Sequence, residues 1–101
     1  QDVIGSIMRV RDPKTGSFWQ RPIGPIKQCE AVDDRNVRLL LEEPHAPLVP
    51  ALAATMASIL PMSKLKDGSF DPTKTMLGTG PFMVVEHVQD DHWILERNPY
   101  Y

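Results

Sequence analysis

One cysteine among 101 residues rules out an internal disulfide and leaves the redox compartment open. No apolar run approaches the roughly 20 residues that a membrane helix needs, so no segment here is expected to insert directly into a membrane. Basic clusters are missing too. A net charge of −2 with dispersed lysines and arginines offers nucleic acid or an anionic bilayer little to hold. The carboxylate pairs Asp33-Asp34, Glu42-Glu43 and Asp90-Asp91 fall in turns or at strand ends, where solvated acids are the default and nothing predicts burial. Gly78-Thr79-Gly80 lacks the following Gly-Lys-Ser/Thr of a phosphate loop and runs toward a strand. Cys29 has no general base beside it in sequence and reads as a small core residue. No catalytic constellation survives, so neither an enzyme nor a cofactor site is expected. Repeats, low-complexity tracts and flexible linkers are likewise absent. Nor does the chain begin with methionine: Gln1 to Arg9 already reads as helix interior without a cap, the mark of a segment excised from something longer.

What is present is ordinary globular material chopped short. Hydrophobic content of 42% and charge of 24% suit one soluble domain with a modest core, and ten prolines cut the chain into brief elements. Val3, Ile4, Ile7 and Met8 recur at helical spacing, with Asp2 at the start and Arg9 and Arg11 at the end to complement the dipole. Asp12-Pro13 stops that helix, and Lys14 to Ser17 is a turn. Ile26 to Val32 and Val37 to Glu42 read as an antiparallel hairpin around Asp33-Asp34-Arg35-Asn36, with Val37, Leu39 and Leu41 on its apolar face. Pro47 suits the first turn of a helix running through Leu48, Ala51, Leu52 and Thr55. Residues 57–61 read as a short buried strand, 62–66 as a turn of helix and 67–72 as surface loop. Strands and helices mix without strict alternation, which predicts an α+β fold of antiparallel hairpins and short helices.

The stretch from Leu77 to Tyr101 organises the rest. Gly78, Gly80 and Pro81 make a stiff corner, with the glycines expected to use backbone angles closed to other residues. Two β-branched and aromatic runs then flank Gln89-Asp90-Asp91 as a hairpin, which Asn98-Pro99 ends. A pairing that closes on Val88 and His92 places Met83, Val85, Trp93 and Leu95 on one apolar face.

Two features point to binding. Phe18 and Trp19 lie in an irregular loop, where an aromatic pair is either packed beneath the chain or offered to a ligand. An indole in particular gives broad apolar contact with a single donor, which suits varied side chains. His87 and His92 straddle the hairpin turn beside Asp90 and Asp91, a set able in principle to hold a transition metal. Histidines flanking a surface turn are far commoner without one, so no metal site is assigned.

The order Leu77-Gly78-Thr79-Gly80-Pro81-Phe82, hairpin, Leu95-Glu96-Arg97-Asn98-Pro99-Tyr100-Tyr101 resembles the peptide/nickel class of extracytoplasmic solute-binding proteins. Those are the capture subunits of ABC importers for oligopeptides, dipeptides, nickel chelates and some sugars. Asp2-Val3 with Ser6 and Arg9, Asp12 to Ser17, Glu30 to Asp34 with Val37 and Leu39, and Pro44-His45-Ala46-Pro47 are similar to further family segments in the same order. One departure is Gln89-Asp90 where members commonly carry proline-glycine, which implies a looser turn.

The resemblance implies part of the first lobe of a two-lobed fold. Residues 1–61 would be its small subdomain, 62–101 a return segment and hairpin of the base lobe, with the second lobe outside this stretch. It implies a periplasmic or extracytoplasmic protein, lipid-anchored or free, that captures a short peptide or small solute and delivers it to a membrane permease. Trp19 stands where peptide-binding members commonly place a cleft-lining aromatic, with Phe18 beside it. No family metal ligand falls on the histidines. A stand-alone α+β interaction domain, or capture of a metal chelate or sugar by the same class, remains the alternative.

Overall fold

The computed structural model describes residues 1–101. Its elements are α1 (Asp2–Arg11), β1 (Ile26–Ala31), β2 (Val37–Leu41), α2 (Leu48–Leu52), α3 (Met62–Asp67), β3 (Phe82–Val88) and β4 (His92–Arg97), with 3-10 turns at Pro13–Thr15, Phe18–Gln20 and Thr55–Ala57. The chain forms two units, Gln1–Ile59 and Leu60–Tyr101, each containing one two-stranded antiparallel sheet. The expected α+β class is what is found. No helix is long and apolar enough to cross a membrane.

In the first unit α1 packs on β1 and on the Phe18–Gln20 turn. Its buried stripe is Ser6, Ile7 and Val10, whereas Val3 and Met8 are exposed. The stripe expected from spacing is thus turned by a fraction of a turn, because Ile7 and Val10 meet Ile23 and Ile26 in the core. Asp12 leaves the helix in extended conformation, as a residue before proline must, and its carboxylate caps the next turn by accepting from Lys14 N–H at 2.9 Å.

Ile23 and Ile26 are the two fully buried side chains of the molecule. Both can point inward because the chain reverses between them. Gly24 takes φ 85°, and Ile26 N–H donates to Gly24 C=O at 2.9 Å across Pro25. The Arg11 guanidinium donates to Ile26 C=O, fastening the end of α1 to the start of β1. Trp19, Cys29, Leu39, Leu41, Leu48 and Leu52 pack around this centre.

β1 and β2 pair with Ile26 opposite Leu41 and Cys29 opposite Leu39, and the register slips at Lys27. That bulge is what lets Ile26 and Cys29, three apart, share the core face. Burial pushes the Cys29 thiol pKa upward, as expected for an inert core cysteine. The turn is held by Asp33, whose Oδ1 accepts from the N–H groups of Arg35 and Asn36, both at 2.8 Å. Those bonds, the one from Arg35 first, lower its pKa.

The expected strand over 57–61 does not form. Ala57 closes a 3-10 turn, Ser58 Oγ donates back to Thr55 C=O at 2.6 Å, and Ile59 is exposed. The helix expected to reach Thr55 ends at Leu52.

In the second unit α3 ends at Gly68 in left-handed conformation, and Phe70 is buried in the following loop. β3 and β4 pair with Val88 opposite His92, but the register slips between Val84 and Glu86. Directly opposed residues share a face, so Val84 joins Leu95, and His87 joins Trp93. Met83 stands opposite Glu96 on the other face, and Val85 is the bulged residue. The apolar face expected from strict alternation is therefore corrected by one inserted residue. The turn is not loose. Asp91 N–H donates to Val88 C=O at 3.1 Å, and Asp90 adopts φ 61°, a left-handed angle of the kind glycine often supplies in turns.

Nor do Gly78 and Gly80 use left-handed angles; positive φ occurs at Gly16, Gly24 and Gly68 instead. Asn98 holds that corner. It is 7% exposed; its Nδ2 donates to Gly80 C=O at 2.8 Å, its N–H to Pro81 C=O at 2.8 Å, and its Oδ1 accepts from Tyr100 N–H at 3.0 Å.

Three outcomes are expected. Asn98→Ala leaves Gly80 C=O and Tyr100 N–H without these partners, costing about 1–2 kcal/mol of local stability. Amide hydrogen exchange in Phe82–Val88 and His92–Arg97 should accelerate accordingly. Gly24→Ala forces a left-handed alanine whose Cβ would lie 2.8 Å from His45 Cγ, so it should destabilise the first unit by more than about 1 kcal/mol in urea unfolding. For Asp33, a folded pKa below the unfolded value means its contribution is present above the unfolded pKa and lost as pH falls through the folded one. An NMR titration should place its midpoint below that of an ordinary aspartate, and Asp33→Ala should flatten the acid limb of hairpin stability.

Candidate functional site

A pocket of about 450 Å³ opens on the first unit, lined by Trp19, Pro22, His45, Pro47, Pro50, Ala51 and Ala54. That size lies within the range of small-molecule sites. Three stretches build it. Ser17 Oγ accepts from Trp19 N–H at 3.2 Å and starts the 3-10 turn that carries Trp19 and leads to Pro22. The Pro44–Pro47 connector supplies His45, and α2 with its exit supplies Pro50, Ala51 and Ala54.

Trp19 joins the pocket to the core. It packs against the Ile7, Val10, Ile23 and Ile26 cluster, and its indole N–H donates at 3.3 Å to Ala51 C=O, which also accepts from Ala54 N–H at 3.2 Å at the end of α2. Phe18, its neighbour in the same turn, goes the opposite way. It is 99% exposed and is not part of the pocket lining. Only one of the two aromatics singled out from sequence is thus brought to this pocket.

His45 lies over Gly24, with its Cδ2, Cγ and Nε2 edge toward that residue. Its Nε2 is 3.3 Å from Pro22 C=O. Because a carbonyl cannot donate, Nε2 carries the hydrogen of that bond. The backbone carbonyls of the lining are also engaged. Trp19 C=O accepts from Ile23 N–H at 3.1 Å, Pro47 C=O from Ala51 N–H at 2.9 Å, Pro50 C=O from Ala53 N–H at 3.2 Å, and Ala54 C=O from Ala57 N–H at 2.9 Å. The wall is apolar and its backbone carbonyls are satisfied.

From sequence the Pro44–Pro47 segment reads as a connector, and the lining by Pro22, His45, Pro47, Pro50, Ala51 and Ala54 is not anticipated. The available signal was the density of prolines around one histidine, since proline rings stay rigid and cannot donate.

The hairpin histidines have other duties. His87 stacks on Trp93 with ring centroids 3.5 Å apart and places Nδ1 2.8 Å from Lys74 C=O. His92 is next in register and so faces the other side, where its Nδ1 lies 2.8 Å from Asp91 Oδ2 and its Nε2 3.3 Å from Glu86 Oε1. The two imidazoles do not converge, and no group of three or more His, Cys, Asp or Glu side chains is placed to hold a metal ion.

Comparison with known proteins gives this geometry a family. The family model of bacterial extracellular solute-binding proteins, family 5 Middle, matches residues 1–101. A Brucella ovis protein named as an ABC transporter peptide-binding protein is 32% identical over 98 residues, 90% of this chain and 18% of its own. A D,D-dipeptide-binding periplasmic protein of Escherichia coli is 32% identical over 73% of this chain and 15% of its own. A di/tripeptide-binding protein of Pseudomonas aeruginosa is 28% identical over 99% of this chain and 22% of its own. The solved structure of the PBP AgaA from A. tumefaciens R10, in complex with agropinic acid, superposes with a TM-score of 0.85 at 25% identity, covering 95% of this chain and 20% of that one. The chain therefore spans about a fifth of the length of the relatives it matches. On this match along its whole length, the chain belongs to the family 5 bacterial extracellular solute-binding proteins.

Proposed function

We propose that this chain is part of the ligand-capture component of an ABC importer, and that it binds a short peptide, a dipeptide or oligopeptide, without catalysis. The observation that carries this reading is an apolar pocket against Trp19 in a chain whose family match runs from residue 1 to 101. Three relatives bear names that specify peptide or dipeptide binding. In this reading residues 1–61 are the small subdomain of the first lobe, and 62–101 return to its base. A second lobe hinges shut over the solute, and the closed form is what a membrane permease recognises. The protein works outside the cytoplasm, as the periplasmic relative's name suggests. Trp19 lines the cleft. Phe18 meets the ligand from the solvent side on closure.

The wall suits that task. Contact with an indole, prolines and alanines is non-directional, so it accepts side chains of different shape. Binding energy here needs no proton transfer and no nucleophile.

The test is binding by the full-length protein to a panel of di- to pentapeptides, nickel chelates and oligosaccharides, read by thermal shift and calorimetry. A peptide at a hundred times its Kd should stabilise by about 2.7 kcal/mol. Trp19→Ala should weaken the bound peptide roughly tenfold through lost apolar contact. Because Trp19 also packs on the core, Trp19→Phe serves as the variant that keeps most of that packing. Phe18→Ala should weaken binding less, while leaving unliganded stability within about 0.5 kcal/mol. Unchanged affinity in both Trp19 variants overturns the pocket assignment. Stabilisation by a sugar or nickel chelate alone overturns the peptide reading.

A further inference from the structure

We propose that His45 determines which side chains the Trp19 pocket accepts, by presenting a bare Nδ1 acceptor to a ligand aromatic ring that carries a hydroxyl, such as the phenol of a tyrosine residue in a peptide. This rests on the pocket being a solute site. Three observations lead to it. The bond from Nε2 to Pro22 C=O at 3.3 Å fixes the hydrogen of the neutral imidazole on Nε2, so Nδ1 has a lone pair and no hydrogen. The edge of the ring facing Gly24 is Cδ2, Cγ and Nε2, which puts Nδ1 on the opposite edge. The ring is half-buried and lines the pocket, with its Nε2 edge engaged by Pro22 and Gly24.

Nothing else in the lining side chains competes for that role. The Trp19 N–H is committed to Ala51 C=O, and the remaining side chains are prolines and alanines. A flat ring has the indole and three proline rings of the lining to stack against, and a hydroxyl on it would donate to Nδ1. A phenylalanine would fill the same space while covering an acceptor that then has no donor, which is how a polar group discriminates against an analogue lacking its partner. Gly24 is part of the device. Any side chain there would meet the imidazole, so its absence is what lets His45 take this position.

The test compares the full-length protein's affinity for Ala-Tyr-Ala, Ala-Phe-Ala and the O-methyltyrosine analogue. Wild type should favour the tyrosine peptide over both others by about three- to tenfold, the worth of one net hydrogen bond. His45→Phe, which keeps a ring and removes both nitrogens, should bring the tyrosine-to-phenylalanine ratio to about one. His45→Asn, with an amide oxygen near the Nδ1 position, should restore part of it. Equal affinity of wild type for the three peptides overturns the proposal without relying on any variant, and so does a preference that persists in His45→Phe. Failure of all three peptides to bind overturns the substrate class named here. If Trp19→Ala leaves every affinity unchanged, the pocket reading itself has failed; if it weakens all three while the hydroxyl preference survives His45→Phe, only the role of His45 has.

Discussion

The first unit depends on one constraint: two isoleucines, Ile23 and Ile26, must be buried completely from either side of a chain reversal. Residues three apart in an extended segment point to opposite faces, so a regular strand would expose one of them. Gly24 at φ 85° and the tight bond across Pro25 remove that conflict. The same reversal sets the pocket. It brings Pro22 beneath the His45 ring, and the empty space at Gly24 admits that ring. Core packing and site geometry therefore come from a single turn, which is why a methyl group at position 24 is expected to disturb both.

The two sheets solve a related problem in the same way. Each first strand carries one inserted residue, at Lys27 in β1 and at Val85 in β3. In β1 the insertion gathers Ile26 and Cys29 onto the core face, against Leu41 and Leu39. In β3 it sets Val84 and His87 on the face of Leu95 and Trp93, allowing the imidazole to stack on the indole. The second hairpin keeps many of its apolar side chains exposed, including Phe82, Leu95 and Ile94. Its base is correspondingly secured by polar means, through the three hydrogen bonds of a buried Asn98.

Local signals are legible in the sequence, and long-range ones are not. The end of α1 at Asp12-Pro13, the Asp33 to Asn36 turn and the hairpin closing on Val88 and His92 follow from rules acting over a few residues. The bulges escape because a one-residue slip is defined by the partner strand, and a pattern of alternating residues reads almost equally well on either side of it. Residues 57–61 look like a strand by composition, yet Ser58 bonds back to Thr55 and Ile59 stays in solvent. For the site, Trp19 is legible as a loop aromatic suited to broad apolar contact. The opposite course of Phe18 is not, since a 3-10 turn rotates neighbouring side chains by about a third of a circle and only the core decides which one it keeps. His45 is the clearest omission. Its role arises from Pro22 and Gly24, more than twenty residues away, and no spacing rule reaches that far.

A wall whose carbonyls are already bonded changes what binding costs. A solute entering beside Trp19 breaks no internal hydrogen bond, so nearly all the apolar area it covers counts toward affinity, less the ordering of the solute itself. Such a surface tells large from small but not one chemistry from another. Selectivity must then reside in the few polar atoms left unsatisfied, because a mismatch there leaves a desolvated group without a partner, whereas a mismatch in apolar shape costs only contact. On the function proposed above, that division, with affinity from rings and prolines and discrimination from one imidazole edge, would let a capture site tolerate many side chains while still ranking them. On the same proposal, the bond from the imidazole to a backbone carbonyl gains a purpose, since fixing the tautomer would decide whether the ligand meets an acceptor or a donor.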